Sequence, residues 1–89
     1  MIKLIQVVKA NQSNEYYLRE TSVNPNHIIS ATPSEKFIIL LHQNKLPEGL
    51  NQSHDFVEIS LSNNQTLIVV GTPHIIEEKI KSAKKLLLG

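Results

Sequence analysis

The sequence predicts an α+β domain: a small antiparallel sheet of about five strands, a C-terminal helix packed on it, and a second short helix at 33–43. Three observations predict this class. Short stretches in which apolar and polar residues alternate are separated by turn residues, which is typical of antiparallel strands. A hairpin pattern occupies 56–70. An apolar stripe at helical spacing follows it.

The hairpin consists of Phe56–Leu61 and Thr66–Val70. Asparagine tolerates a positive φ angle, so Asn63-Asn64 favours a two-residue turn of the primed type. Such a turn would place these pairs on one face: Leu61 with Thr66, Ile59 with Ile68, and Val57 with Val70. The opposite face would be mixed and half exposed, and it would hold Glu58, Ser60, Leu67 and Val69.

A helix is predicted after the hairpin. Thr72 is a good N-cap, and Pro73 occupies the first helical position, where its missing N–H costs nothing. The stripe expected to cover the sheet face of Val57, Ile59, Ile68 and Val70 comprises Ile75, Ile76, Ile80, Ala83, Leu86 and Leu87. We expect Ile80, at its middle, to be fully buried. Leu88 would lie on the opposite side, among lysines.

Three further strands are predicted in the first third of the chain. Ile2–Lys9 is apolar on both faces, so it should be central in the sheet and covered on both sides. Tyr16–Val23 is supported by tyrosine, threonine and valine, which favour strands. Asn24-Pro25-Asn26 has the residues of a turn, and His27–Ala31 follows as a short strand.

The segment Thr32–Asn44 has two interpretations. Phe37–Leu41 is apolar enough for a buried strand. Thr32-Pro33-Ser34-Glu35 instead has the pattern of a capping box, with Thr32 as the N-cap and a glutamate three residues later. We favour a helix from Pro33 to Gln43, followed by a loop from Lys45 to Asp55.

Composition limits the class of protein. With 89 residues the chain should form a single domain over 1–89. No apolar run approaches the ~20 residues that span a bilayer, and the N-terminus lacks the small-residue cleavage site of a signal peptide. We therefore expect a cytoplasmic protein with no membrane partner. The net charge of +1 favours neither nucleic acid nor membrane as a partner, and the chain has no cysteine for disulfide or thiol chemistry.

The sequence contains only weak motifs for catalysis or metal binding. The histidines His27, His42, His54 and His74 lack the spacing of zinc ligands. Ser53-His54-Asp55 contains the residue types of a hydrolase triad, but a triad is assembled from distant segments, and neighbouring loop side chains cannot pass a proton along. We expect no metal, no cofactor and no enzymatic activity.

Several short motifs resemble the FlbD family, small bacterial proteins encoded with flagellar genes, and small phage-encoded proteins share the outline. The matching pieces are Met1–Leu4, Val23–Ile28, Ile59–Leu61, Leu67–Val69 and Ile75–Ile80. The chain departs from the family by a long insertion between Ala31 and Phe56 and by Asn63-Asn64 where the family has Asn-Gly. The resemblance implies a small β-rich domain that ends in a helix. We do not transfer the flagellar role to this chain.

These observations favour a non-enzymatic interaction or structural protein that forms a homo-oligomer, a dimer or higher, or binds an unknown protein partner. A sheet of this kind leaves two edges, and a dimer could hide one edge or the mixed face. The alternative is a small nucleic-acid-binding module that uses the lysine face of the C-terminal helix. The residues predicted to form a partner surface are Leu67, Val69, Lys81, Lys84, Lys85 and Leu88.

Overall fold

The computed structural model describes residues 1–47, 49–50 and 53–88, with the backbone alone at 85–88. Five strands form one antiparallel sheet in the order β2-β1-β5-β4-β3. The elements in chain order are β1 (Ile2–Lys9), β2 (Tyr16–Val23), β3 (Ile28–Pro33), α1 (Glu35–His42), β4 (Phe56–Leu61), β5 (Thr66–Val70) and α2 (Pro73–Leu88). A 3₁₀ turn at Pro25–His27 precedes β3. The predicted α+β class, with a C-terminal helix on the sheet, is confirmed.

A helix packs on each face of the sheet. α2 covers a core that consists of Ile2, Leu4, Val23, Val57, Ile59, Val69 and Ile76. α1 covers a second, smaller core that consists of Val7, Phe37, Leu41 and Phe56. Strand β1 supplies residues to both cores, as its apolar pattern predicted, although Ile5 on the α1 side stays exposed.

The β4–β5 hairpin differs from its prediction by one residue in register. Leu61 N donates to Gln65 O at 2.9 Å, and Asn64 N donates to Leu61 O at 3.1 Å. The loop therefore has three residues, and only Asn64 takes a positive φ, of 68°. The Asn63 side chain accepts from Gln65 N at 3.0 Å, which fixes this loop geometry. Such a loop is a common alternative to the two-residue turn.

The one-residue shift exchanges the two faces of β5 relative to β4. Val57 pairs with Val69, and Ile59 pairs with Leu67. Val69 is therefore buried under α2, at 0% exposed, and the predicted mixed face that held it is wrong. Ile68 and Val70 lie on the α1 side instead, packed against the second core.

Helix α2 begins as its sequence predicts. Ile75 N donates to the Thr72 side chain at 3.3 Å, and Ile76 N donates to Thr72 O at 3.1 Å. Ile76 is buried in the core, but Ile80 is half-buried rather than fully buried. Ile75 is 52% exposed and lies outside the stripe, because a helical residue is turned by about 100° from its neighbour. The side chains of Leu86–Leu88 fall outside the described residues.

The strand ends before α2 at a position that requires glycine. Gly71 has a φ of 146°, a conformation that L side chains rarely adopt. A Cβ placed there would lie 3.0 Å from the Ile76 side chain. The chain therefore turns directly against the core residue that anchors α2.

The helix predicted at 33–43 is present, but its predicted capping box is wrong. Thr32 and Pro33 belong to β3, where they pair with Glu58 and Val57 of β4. Ser34 N extends this ladder by donating to Phe56 O at 2.9 Å, and the helix starts at Glu35. Pairing with a distant strand therefore overrides the local capping pattern.

Candidate functional site

Strand β2 forms one edge of the sheet and is regular along its length, with the charged residues Arg19 and Glu20 at its middle. It pairs with β1 over all eight of its residues, from Ile2 opposite Val23 to Lys9 opposite Tyr16, without a shift in register. No proline interrupts Tyr16–Val23. A long regular edge of this kind presents a row of backbone N–H and C=O groups to any strand that can approach.

The hairpin that joins β1 to β2 determines which groups point outward. Ala10 N donates to Glu15 O at 2.9 Å, so this pair is hydrogen-bonded across the hairpin. Hydrogen-bonded and non-bonded pairs alternate along antiparallel strands. The backbone groups that point away from β1 therefore belong to Tyr16, Leu18, Glu20 and Ser22. Within the described residues, no backbone hydrogen bond joins β2 to a segment other than β1 and its hairpin loop.

The opposite edge, β3, is irregular. Its register with β4 shifts between Ile28 and Ser30, and Ile29 at this bulge is 69% exposed. Its last residue is Pro33, which has no N–H to donate. Bulges and prolines are two of the devices by which natural proteins prevent an edge strand from pairing with another chain.

The side chains of β2 divide between the two faces of the sheet. On the α1 side, the Tyr16 ring meets the Phe37 ring edge-on, with centroids 5.5 Å apart. On the α2 side, Tyr17 is 44% exposed and Arg19 is also exposed. The Arg19 guanidinium donates from Nη2 to Gln6 Oε1 at 3.0 Å. Gln6 is only 8% exposed, so this bond satisfies a buried amide and holds Arg19 in place.

One ion pair crosses from β1 to β2 on the α1 side. Lys3 Nζ lies 3.7 Å from Glu20 Oε1, and both side chains are more than half exposed. Exposed pairs of this kind contribute little to stability. Glu20 is therefore free to exchange this partner for another without a measurable cost to the fold.

A cavity of about 290 Å³ borders the C-terminal half of β2. Arg19, Thr21 and Ser22 line one side, and residues of the β4–β5 loop, including Ser62 and Asn63, line the other. Gln6 of β1 and Leu67 of β5 also line it, so the cavity lies over the α2 face of the sheet rather than beside the outer side of β2.

Those residues of the predicted partner surface whose side chains the structure describes do not form one exposed patch. Val69 is fully buried and Leu67 packs against the core under α2, so neither offers the exposed contact that the predicted mixed face required. Lys81 is exposed on α2, and Lys84 is half-buried. The side chains of Lys85 and Leu88 lie outside the described residues.

Two of the residues that the sequence analysis considered for metal or catalytic chemistry, His27 and Asp55, make structural contacts. Across the described parts of the chain, no cluster of three or more His, Asp or Glu side chains could hold a metal ion. His27 Nδ1 lies 3.4 Å from Ser62 Oγ, which joins the 3₁₀ turn to the β4–β5 loop. Asp55 accepts from Gly71 N through its backbone carbonyl at 2.9 Å, a structural contact between the two ends of the hairpin.

The β2 edge itself was not singled out from the sequence. Its edge position depends on the order of strands, which local patterns do not specify. The available signal was the absence of proline and glycine from Tyr16–Val23, compared with Pro33 at the end of the other edge strand.

No family model, curated protein or solved structure matches this chain. The resemblance to the FlbD family therefore stays a prediction. Neither helix in the described residues combines the length and apolar character that a membrane crossing requires.

Proposed function

We propose that the protein is a non-enzymatic interaction module that works by self-association through the edge of its sheet. The observation that carries the proposal is the contrast between the two edges. β3 is interrupted by a bulge and ends in proline, whereas β2 is regular over eight residues. A protein that must stay monomeric ordinarily interrupts both edges.

The burial pattern favours the edge over the other surface expected from the sequence. A dimer could have covered a mixed face containing Val69, but this residue is in the core of the single chain. The outward backbone N–H and C=O groups of β2 are then the strongest feature that a second protein chain could use. Strand addition of this kind derives its affinity chiefly from main-chain hydrogen bonds.

Sedimentation velocity over a concentration series tests the proposal. At tens of micromolar we expect a species of twice the 10.0 kDa of one chain. On dilution this species should give way to monomer, because a short strand-to-strand contact is a modest interface. A single 10.0 kDa species throughout the series would overturn the proposal.

A further inference from the structure

We infer that two copies pair antiparallel through β2, about a two-fold axis at Leu18, so that their sheets join into one continuous sheet. This inference rests on the proposed self-association and adds the strand, its direction and its register. A two-fold axis uses the same patch on both copies, so one edge strand suffices for the whole contact.

The symmetry restricts the possible registers. Directly opposed residues of an antiparallel pair point their side chains to the same face, and neighbouring residues of one strand point to opposite faces. The axis must therefore pass through a residue rather than between two residues. Near the middle of β2 the candidates are Tyr17, Leu18, Arg19, Glu20 and Thr21.

Charge disfavours two of these registers. An axis at Arg19 would place this guanidinium directly opposite its own copy, and an axis at Glu20 would do the same with a carboxylate. Like charges that are directly opposed across strands are destabilising. Both side chains are exposed in the single chain. The ion pair of Glu20 with Lys3 is exposed as well, so it offsets the repulsion between two copies of Glu20 only weakly.

The count of hydrogen bonds disfavours the register at Thr21. With the axis at Thr21, the outward-facing residues Glu20 and Ser22 oppose each other. Within β2 only this pair and its copy form, giving about four bonds.

Hydrogen bonding distinguishes the two registers that remain. The outward groups belong to Tyr16, Leu18 and Glu20, and each hydrogen-bonded pair exchanges two bonds. With the axis at Leu18, three such pairs form, giving about six bonds. With the axis at Tyr17, only the Tyr16–Leu18 pair and its copy form, giving about four.

The side chains also match in the register centred on Leu18. On the α2 side, Tyr17 lies opposite the partner's Arg19, so the ring lies beside the aliphatic part of that side chain while the guanidinium keeps its bond to Gln6. On the α1 side, Tyr16 lies opposite the partner's Glu20, and Leu18 lies opposite its own copy. Each charged residue of β2 therefore faces an uncharged tyrosine rather than a like charge.

Disulfide trapping tests the register, because the chain contains no cysteine of its own. In Leu18→Cys the two thiols would sit on the axis, with Cα atoms about 5.5 Å apart, within the range of an unstrained disulfide. The matched control Glu20→Cys lies on the same strand and face. Its two copies would be roughly 14 Å apart, too far to join.

A second variant keeps the test informative if Leu18→Cys folds poorly. Tyr17 and the partner's Arg19 are directly opposed, so the double variant Tyr17→Cys/Arg19→Cys should cross-link. Either single variant should not, since its two copies would be separated by more than the ~7 Å that a disulfide can bridge. This set leaves Leu18 in place.

Mild oxidation at tens of micromolar, followed by non-reducing electrophoresis, gives the readout. We expect Leu18→Cys to form covalent dimer at least about tenfold faster than Glu20→Cys. A dimer by sedimentation that cross-links fastest through Glu20→Cys, or through none of these positions, would overturn the register but retain self-association. A wild-type protein that sediments as a monomer would overturn both.

Discussion

The two edge strands of the sheet, β2 and β3, differ in regularity. β3 carries a bulge next to Ile29 and ends at Pro33, whereas β2 is paired with β1 without interruption. If both edges were open, copies could add to either side and extend into an indefinite sheet. Blocking one edge limits strand addition to a closed pair. We therefore expect the contrast between the two edges to limit the proposed association to two copies.

The irregularity of β3 follows from what it connects. It enters from the 3₁₀ turn at Pro25–His27 and leaves directly into α1 at Glu35. Both junctions require a change of chain direction within a few residues, and Pro33 and the bulge accompany these changes. β2 returns from a simple hairpin and has no such junction at its start. The same local chemistry that directs the chain therefore also determines which edge stays open.

The largest effect on the fold is expected from a proline on the inner side of β2. By the alternation of hydrogen bonds, the N–H of Thr21 points to β1, opposite Leu4. Thr21→Pro would delete a bond inside the sheet, and we expect it to lower the free energy of unfolding by roughly 2–4 kcal/mol. Chemical denaturation measures this loss. An unchanged midpoint would show that the inner and outer sides of β2 have been exchanged.

A proline one residue earlier should act on association instead. The N–H of Glu20 points outward, and proline is tolerated on an edge strand where its missing N–H would face solvent. Glu20→Pro should therefore remain folded but sediment as monomer at concentrations where the wild type is dimeric. The control Glu20→Gln removes the charge but keeps the N–H, so it should still dimerise. Equal loss of dimer in both variants would attribute association to the carboxylate rather than to strand pairing.

Local sequence patterns were sufficient to predict most strands and helices, but not how the strands pair with one another. Strands β1, β2, β4 and β5, the Thr72 cap and the start of α2 depend on residues within a few positions of one another, and all are found where the sequence predicts them. Strand β3 was predicted at His27–Ala31 but spans Ile28–Pro33. The β4–β5 register was predicted wrongly because Asn63-Asn64 is compatible with two loop geometries. The hydrogen bond from Gln65 N to the Asn63 side chain, which the three-residue loop contains, was not considered.

Pairing between strands that are distant in the sequence explains the other differences between the predicted and the observed structure. Thr32 and Pro33 read as a helix cap, yet pairing with β4 draws them into β3, and α1 begins two residues after Pro33. The edge position of β2 also depends on pairing between strands that are distant in the sequence. That β2 is an edge follows from β1 pairing with β5 on its other side, a contact between residues more than sixty positions apart such as Gln6 and Val69. No window of local sequence contains that information.

A smaller effect is expected from the side chain that faces the partner's Arg19. Tyr17 is 44% exposed, so Tyr17→Ser should change the stability of the monomer little. Loss of the tyrosine–arginine contact across the dimer should weaken association about fivefold to tenfold. Sedimentation equilibrium measures the dissociation constant. Tighter dimerisation in this variant would contradict the arrangement of Tyr17 opposite the partner's Arg19.

The smallest effect is expected from the most exposed apolar residue on the other edge. Ile29 is 69% exposed, more than Tyr17. If association depended mainly on burying exposed apolar side chains, Ile29 would therefore be the better contact. Our comparison assigns it no role, because the bulge at this position interrupts the β3 edge. We expect Ile29→Ser to change neither the dissociation constant nor the free energy of unfolding by more than about 0.5 kcal/mol. A clear loss of dimer in Ile29→Ser, with Tyr17→Ser unaffected, would transfer the interface from β2 to β3 and reverse the roles of the two edges.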